Sequence, residues 1–197
     1  MKMGRASIAG ISLWVLAIQL GIVSTVAAKY LYQRWTCPRV WARSEVYDPE
    51  MLMRGRYLSL QVSVNGCQDG QSSEKIGTLQ DKNSDQAGRR YYFRGAEGVG
   101  FQARLKVSGS KLMAVRIPDA DEQSGGQVVV GVPGANCADM RLDTPVDFYI
   151  AEQAADPSWL KAGQELWVEV TVPPKGPPRP LQLALKDNGV WKPLNFR

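Results

Sequence analysis

Residues 57–64, YLSLQVSV, decide the fold class of this chain. After Tyr57, apolar and polar residues alternate strictly. The apolar set is Leu58, Leu60, Val62 and Val64, and the polar set is Ser59, Gln61 and Ser63. A period of two is typical of a β-strand with one buried face and one solvated face, and Asn65-Gly66 directly after it predicts a turn. The segment therefore indicates a β domain in which a sheet covers an apolar core.

Further strands are predicted along the rest of the chain. Short apolar or alternating runs bounded by Gly, Pro or Asn lie at 101–107, 111–117, 127–132, 146–150, 166–172, 181–185 and 190–192. Ser108-Gly109-Ser110 and Asp187-Asn188-Gly189 predict the turns of two hairpins. The polar run 68–89 predicts a long loop, and residues 156–163 predict one short helix, capped by Asp156 and ended by Gly163. The fold class is thus mainly β, an antiparallel sandwich or open barrel with one short helix.

An almost unbroken apolar run at residues 6–28 precedes this domain. As a helix it reaches about 35 Å at about 1.5 Å per residue, enough to cross a hydrocarbon core about 30 Å thick. Tyr30, Tyr32 and Trp35, mixed with Lys29 and Arg34, resemble the belt of aromatics and cations at a membrane interface. We expect a retained transmembrane anchor. A cleaved signal peptide is the alternative, although the run exceeds the usual apolar region of about 7–15 residues.

These features divide the chain into a cytoplasmic tail 1–5, an anchor 6–28, a juxtamembrane segment 29–45 and a β domain 46–197. Basic residues after the span outnumber Lys2 and Arg5 before it, and a literal positive-inside count would keep the domain in the cytoplasm. That rule weakens when a long domain follows the span. We expect the amino terminus inside and the β domain outside the cytoplasm.

The cysteines agree with a domain outside the cytoplasm. Cys67 and Cys137 both lie in polar, turn-rich settings of the globular part, where an oxidising compartment would allow them to form a disulfide. Two separate thiols are the alternative. Cys37 would remain outside the bridge, close to the membrane.

Composition excludes several function classes. The chain has 24 Lys and Arg, 19 Asp and Glu and no histidine, so a histidine-dependent triad or general base is ruled out. It has no CxxC spacing either, which removes most zinc chemistry. A nucleic-acid binder is expected to have clusters of Lys and Arg interleaved with aromatic residues, and this sequence has no such cluster. We expect no metal, no cofactor and no nucleic-acid partner.

Tyr47-Asp48-Pro49, followed by RGRYLSLQ at residues 54–61, resembles the signature of the GDYXXLXY family, bacterial membrane-anchored proteins of unestablished function. The resemblance extends over nearly the whole chain, with one amino-terminal span, the signature on the first predicted strand, and a terminal ELWVEVTV hairpin. Gly55, Tyr57 and Leu60 keep the signature. Two positions depart from it.

Arg56 stands where the family has its Asp, and Gln61 where it has its final Tyr. Because the reversed charge at position 56 would abolish any task of that carboxylate, we expect a structural role for the signature. Gly55 would allow a tight turn into the strand, and Tyr57 and Leu60 would pack in the core. The resemblance implies a bacterial membrane-anchored protein with a polytopic membrane protein as partner. Together with the orientation expected from the span and the cysteines, this predicts the inner membrane and a periplasmic domain.

Three function classes follow from these residues. The leading one is a membrane-tethered accessory or interaction domain that meets its partner through the aromatic and basic residues between Tyr30 and Trp41. A second is a ligand-binding β domain for an envelope component, for which the aromatic stretch Arg90-Tyr91-Tyr92-Phe93 is the hint. Acidic residues in the turn-rich segments, Glu97, Asp119 and Asp121, are expected to be solvated rather than to act in acid–base chemistry.

The third class is a membrane-bound hydrolase. An anchor followed by a β domain, with Pro49 before a glycine-led strand, is similar to the layout of signal peptidases that use a serine and a lysine. Ser44 lies further from the proline than the serine of those enzymes. The lysines considered are Lys75, Lys82, Lys106 and Lys111. Most of these lie in or near loops, where the burial that activates a catalytic lysine is not expected, so we expect no catalytic residue.

Overall fold

The computed structural model describes residues 5–47, 57–67, 89–93, 96–117, 126–151, 153–154, 157 and 159–196. The chain forms two compact units, one ending at Cys37 and the other beginning at Pro38. The signature positions Gly55 and Arg56 lie outside the described residues.

The first unit is a single helix, α1, from Arg5 to Thr36. From Ile11 onward its apolar side chains are exposed, and its segment Gly10–Thr36 is long and apolar enough to cross a membrane. Thr25 and Thr36 donate their hydroxyl protons to the carbonyl oxygens of Gly21 and Tyr32, four residues earlier, at 2.7 and 2.8 Å. Their polar groups are therefore satisfied within the helix, as an apolar surrounding requires.

In the residues that the structure describes, the second unit is an 11-stranded antiparallel sheet. Its strands are β1 Arg39–Val46, β2 Tyr57–Val64, β3 Arg89–Phe93, β4 Ala96–Ser108, β5 Lys111–Arg116, β6 Gln127–Gly131, β7 Met140–Leu142, β8 Val146–Tyr149, β9 Gln164–Thr171, β10 Arg179–Asp187 and β11 Val190–Pro193. The main order is β11-β10-β9-β1-β2-β7-β6-β4-β3, with β5 on β4 and β8 on β2.

Strand β2 lies at the centre of this order. One of its edges pairs with β1, and the other is shared, with Tyr57–Leu60 pairing with β8 and Ser63–Val64 with β7. A single parallel bridge from Asn65 to Met113 brings β5 to the end of β2, so the sheet curves back on itself without closing into a barrel. The predicted fold class, an amino-terminal helix followed by an open, mainly antiparallel β domain, is confirmed.

The core lies on the concave side of this curved sheet. All four apolar residues of the opening alternation are buried, and Leu60 and Val62 are fully so. They pack with the inward side chains of β1, β4, β9 and β10. At the carboxy terminus, Phe196 adds to this core and lies 5.7 Å from Phe148, ring to ring. Burial of apolar area, at about 25 cal/mol per Å², is what holds these layers together.

Both predicted hairpins form. The turn between β10 and β11 has positive φ at Asn188 (47°) and Gly189 (88°), the pair of left-handed conformations that favours Asn-Gly in a tight hairpin. The turn between β4 and β5 contains Gly109 at φ 59°.

The prediction of a short helix at 156–163 is wrong for those residues of the range that the structure describes. Residues 159–161 have no regular structure, and 162–163 form a turn into β9. Trp159 is 86% exposed and Leu160 39%, so no apolar face is buried to stabilise a helix of this length. A short 3-10 turn occurs instead at Cys137–Asp139, where Asn136 Oδ1 accepts a hydrogen bond from Ala138 N at 2.9 Å.

Candidate interaction face

The described signature residues lie on β2 and divide between its two faces. Leu60 is in the core, with no exposed surface. Tyr57 is on the outward face, half-buried, with its ring 6.2 Å from that of Tyr149, which is 78% exposed. The expectation that Tyr57 packs in the core is therefore wrong, because its register with Tyr149 places it on the solvent side.

Gln61 is also on the outward face by alternation, yet it is completely buried. Its Nε2 donates a hydrogen bond to the carbonyl oxygen of Leu142 at 3.2 Å. Leu142 is the last residue of β7, and backbone pairing along this edge of β2 continues only with β8. The side-chain amide of Gln61 therefore replaces a backbone hydrogen bond that is missing at this gap. Among the described residues, Gln61 Oε1 has no hydrogen-bond partner. Gln61 thus has a structural role at a break in the sheet.

Cys67 and Cys137, the pair considered from the sequence, are joined by a disulfide with a Cα–Cα distance of 4.9 Å. It fastens the end of β2 to the 3-10 turn, where Gly66 N also donates to Cys137 O at 2.8 Å. A Cβ atom at Gly66 would meet the buried side chain of Met140, which would have to shift. Cys37 is a free, partly exposed thiol.

The structure gives no support for a hydrolase at Ser44. Ser44 is 1% exposed, and its hydroxyl donates to the carbonyl oxygen of Leu166 at 3.4 Å. Lys106 and Lys111 are exposed on the β4–β5 hairpin. Lys75 and Lys82 lie outside the described residues, as do Asp119 and Asp121. Ser44 is thus a sheet residue whose oxygen is closed to a substrate.

The aromatic stretch Tyr91-Tyr92-Phe93 lies in β3, which pairs with β4 at the end of the strand order. Glu97 is in β4, opposite Tyr92. The side chains of these strand residues are outside the description. No three His, Cys, Asp or Glu side chains come together as a metal site in the described part of the chain.

Three tryptophans meet on the outward face of the sheet, which we call the tryptophan face. Trp191 lies between the other two, with its ring centroid 5.4 Å from that of Trp41 and 5.0 Å from that of Trp167. The Trp41 and Trp191 rings are inclined by 67°, the edge-to-face geometry that aromatic pairs favour, and the Trp167 and Trp191 rings are tilted by 59°. Trp191 remains 44% exposed, whereas the other two are half-buried. The cluster therefore presents apolar area to solvent.

Strand pairing explains why these rings meet. On the outward side, Arg43 of β1 is opposite Trp167 of β9, and Lys186 of β10 is opposite Trp191 of β11. Trp41 lies two residues before Arg43 and hence on the same side. The tryptophan face is defined by six residues: Trp41, Arg43, Glu165, Trp167, Lys186 and Trp191.

One carboxylate organises the charges of this face. Glu165 lies 3.9 Å from Arg43 Nη1 and 3.9 Å from Lys186 Nζ, and it accepts a hydrogen bond from Trp167 Nε1 at 3.1 Å. Lys186 Nζ is also 5.4 Å from the centroid of the Trp167 ring, within cation–π range. Because two cations share one carboxylate, the group carries a net positive charge. The Arg43 side chain is 53% exposed and that of Glu165 34%, so the positive charge is the outermost.

Sequence reasoning anticipated Trp41 as part of a juxtamembrane belt and missed Trp167 and Trp191. Trp167 occupies a polar position of the alternating strand β9, which is the local signal that its large aromatic ring faces outward, whereas the short β11 around Trp191 has no such alternation. Their meeting depends on β9 pairing with β1, a contact between residues far apart in the sequence.

No family model matches this chain, and neither a curated protein nor a solved structure is significantly similar to it.

Proposed function

We propose that this protein is a membrane-tethered accessory or interaction domain of the bacterial envelope that works with a polytopic membrane protein. The observation that carries the proposal is the tryptophan face, an exposed aromatic cluster with a charged rim on a domain that follows an apolar helix. Aromatic residues and arginine are enriched at protein interfaces, and exposed apolar patches on soluble domains are commonly binding surfaces. The resemblance to the GDYXXLXY family gives the kind of partner.

Chain connectivity supports a partner within the membrane. Trp41 follows Thr36, the last residue of α1, through residues 37–40 alone. At about 3.5 Å per residue, such a connection reaches at most about 17 Å. Tyr32 (69% exposed) and Trp35 (81%) lie in the last turns of α1, shortly before Trp41 in the sequence. The short connection ties the β domain to the membrane anchor, and a polytopic membrane protein is the partner that fits such a tether.

The proposal places α1 in the bacterial inner membrane as a retained anchor and the β domain in the periplasm. The Cys67–Cys137 bridge supports this side, since structural disulfides persist in oxidising compartments. A carboxy-terminal alkaline phosphatase fusion should be active, and a cytoplasmic reporter at the same position inactive. The reverse pattern would refute the orientation. A mature chain that begins at Lys29 would refute the anchor.

Co-purification tests the function itself. Full-length protein from native membranes, extracted in mild detergent and analysed by mass spectrometry, should carry a stoichiometric polytopic membrane protein. A matched chain in which an unrelated single-pass helix replaces α1 should retain that partner if the β domain provides the binding. Recovery of the wild-type chain without any such protein would refute the proposal.

A further inference from the structure

The tryptophan face has the composition of a binding hot spot. A central ring, Trp191, is packed between two others and still exposes 44% of its surface. Hot spots are rich in Trp and Arg and lie where a partner can exclude water. Ala184 of β10 pairs with Trp167 and Pro193 and is only 1% exposed. Because its side chain is small, the backbone of β10 lies close to this cluster. A partner side chain placed here would contact indole rings rather than polar groups.

The charges define what the partner must supply. Arg43 and Lys186 share Glu165 at 3.9 Å each, distances longer than a charge-assisted hydrogen bond of about 2.8 Å. Neither cation is therefore fully neutralised. A carboxylate from a partner, approaching from solvent, would reach Arg43 first because its side chain is 53% exposed and that of Lys186 34%. Arginine can bind such a carboxylate through two parallel hydrogen bonds.

From these contacts we infer that the tryptophan face binds an extramembrane segment of the membrane partner in which apolar side chains stand beside carboxylates. The inference rests on the proposed function and specifies its surface and the chemistry of its partner. The apolar groups would cover Trp191, and the carboxylates would pair with Arg43 and Lys186.

A protein segment fits this face better than an anionic bilayer surface does. Glu165 and Glu169 both lie on the outward side of β9, opposite or beside the residues of β1. A plane of lipid phosphates pressed on the whole face would meet both carboxylates, and like charges at an interface are costly. A peptide segment can place each of its charged side chains separately and so avoid these two carboxylates.

Two pairs of matched variants in the full-length chain test the surface by the amount of co-purified partner. Arg43→Glu should reduce it at least about tenfold, whereas Arg104→Glu, the same change on the exposed side of β4, should not. Trp191→Ala should act like Arg43→Glu, and Trp159→Ala, at a tryptophan outside the face, should act like the control. Arg43→Glu is the decisive variant, because loss of a loose surface ion pair has little effect on folding.

Photo-crosslinking identifies what lies on the face. The photoreactive group is a phenylalanine derivative at Gln182 of β10, which lies opposite Glu169 of β9. It should crosslink to a loop of the polytopic protein that contains Asp or Glu next to apolar residues. Crosslinks only to lipid, to a second copy of this chain or to a loop without carboxylates would overturn the inference. So would a partner that co-purifies equally with all four variants, which would leave the proposed function standing. Absence of any partner on the wild-type chain would refute both.

Discussion

Arg141 and Glu45 form a two-pronged ion pair across strand β2. Arg141 Nη1 and Nη2 donate to the two carboxylate oxygens of Glu45 at 2.7 and 2.8 Å. Glu45 is in β1 opposite Gln61, and Arg141 is in β7 opposite Ser63, so the pair spans the strand that lies between theirs. It joins the two neighbours of β2 directly on the outward face, next to the buried Gln61.

Arg141→Lys should lower the free energy of unfolding by about 1 kcal/mol, because lysine cannot reproduce two parallel hydrogen bonds to one carboxylate. Both side chains are about 30% exposed, which limits the size of the effect. Urea unfolding of the purified chain, followed by tryptophan fluorescence, measures it. Arg104→Lys on the exposed side of β4 is the control, and equal stability of the two variants would contradict the prediction.

Removal of the disulfide should lower the free energy of unfolding more than Arg141→Lys does. Cys67 and Cys137 are 70 residues apart, and closing a loop of that length stabilises the folded state by about 4 kcal/mol in the chain-entropy description. Cys67→Ser with Cys137→Ser should therefore unfold at a much lower urea concentration than wild type. Cys37→Ser should not change the midpoint. A double variant as stable as the wild-type chain would show that the bridge constrains little.

Gln61→Ala should cost about 2 kcal/mol, since it leaves the Leu142 carbonyl without its side-chain donor and creates a cavity at a fully buried position. Ser63→Ala, two residues further on the same face and only half-buried, should change stability by less than about 0.5 kcal/mol. The comparison uses the same urea titration. Similar values for both would mean that Gln61 does not support the break between β7 and β8.

The carboxyl of Asp187 should titrate below the ordinary Asp pKa of about 3.9. Hydrogen bonds from Lys192 (3.1 Å) and then from Gln164 (3.2 Å) lower the pKa of Asp187 in the folded chain. A lowered folded-state pKa stabilises the β10–β11 hairpin at pH values above the ordinary pKa, and this contribution is lost as the pH falls through the folded value. Lys192→Met should raise the pKa of Asp187 in a carboxyl-resolved NMR titration. An unchanged value would rule out Lys192 as the main cause.

Local patterns predicted those parts of the fold that depend on neighbours in sequence. The alternation at residues 57–64 identified which side chains of β2 enter the core, and Asn188-Gly189 identified the last hairpin, since each signal concerns backbone preferences within a few residues. The same alternation assigned Gln61 to solvent. It is buried because β1 and β7 on either side supply Glu45 and Arg141, a tertiary arrangement that no local period contains.

The tryptophan face shows the same limit at the candidate site. Trp167 and Trp191 are separated in the sequence from Trp41 by most of the domain, and they meet only because β9 pairs with β1 and β10. The helix predicted at 156–163 failed for a related reason. Its capping residues were suitable, but the side chains of Trp159 and Leu160 are exposed, so they bury no apolar face that would stabilise a helix.

Ser44→Ala distinguishes an interaction domain from a hydrolase. The Ser44 hydroxyl is buried in β1 and donates to Leu166 O at 3.4 Å, a long hydrogen bond, so its loss should lower the free energy of unfolding by about 1 kcal/mol or less. The folded protein should still accumulate in the membrane and retain its co-purified partner. The measurement is complementation of a deletion strain, with Leu60→Ala as the contrasting variant. Leu60 is fully buried, and its truncation should cost about 2–5 kcal/mol and reduce the amount of folded protein. A Ser44→Ala chain that is stable, abundant and bound to its partner but fails to complement would require a chemical role for this hydroxyl, and the interaction-domain proposal would then give way to the hydrolase.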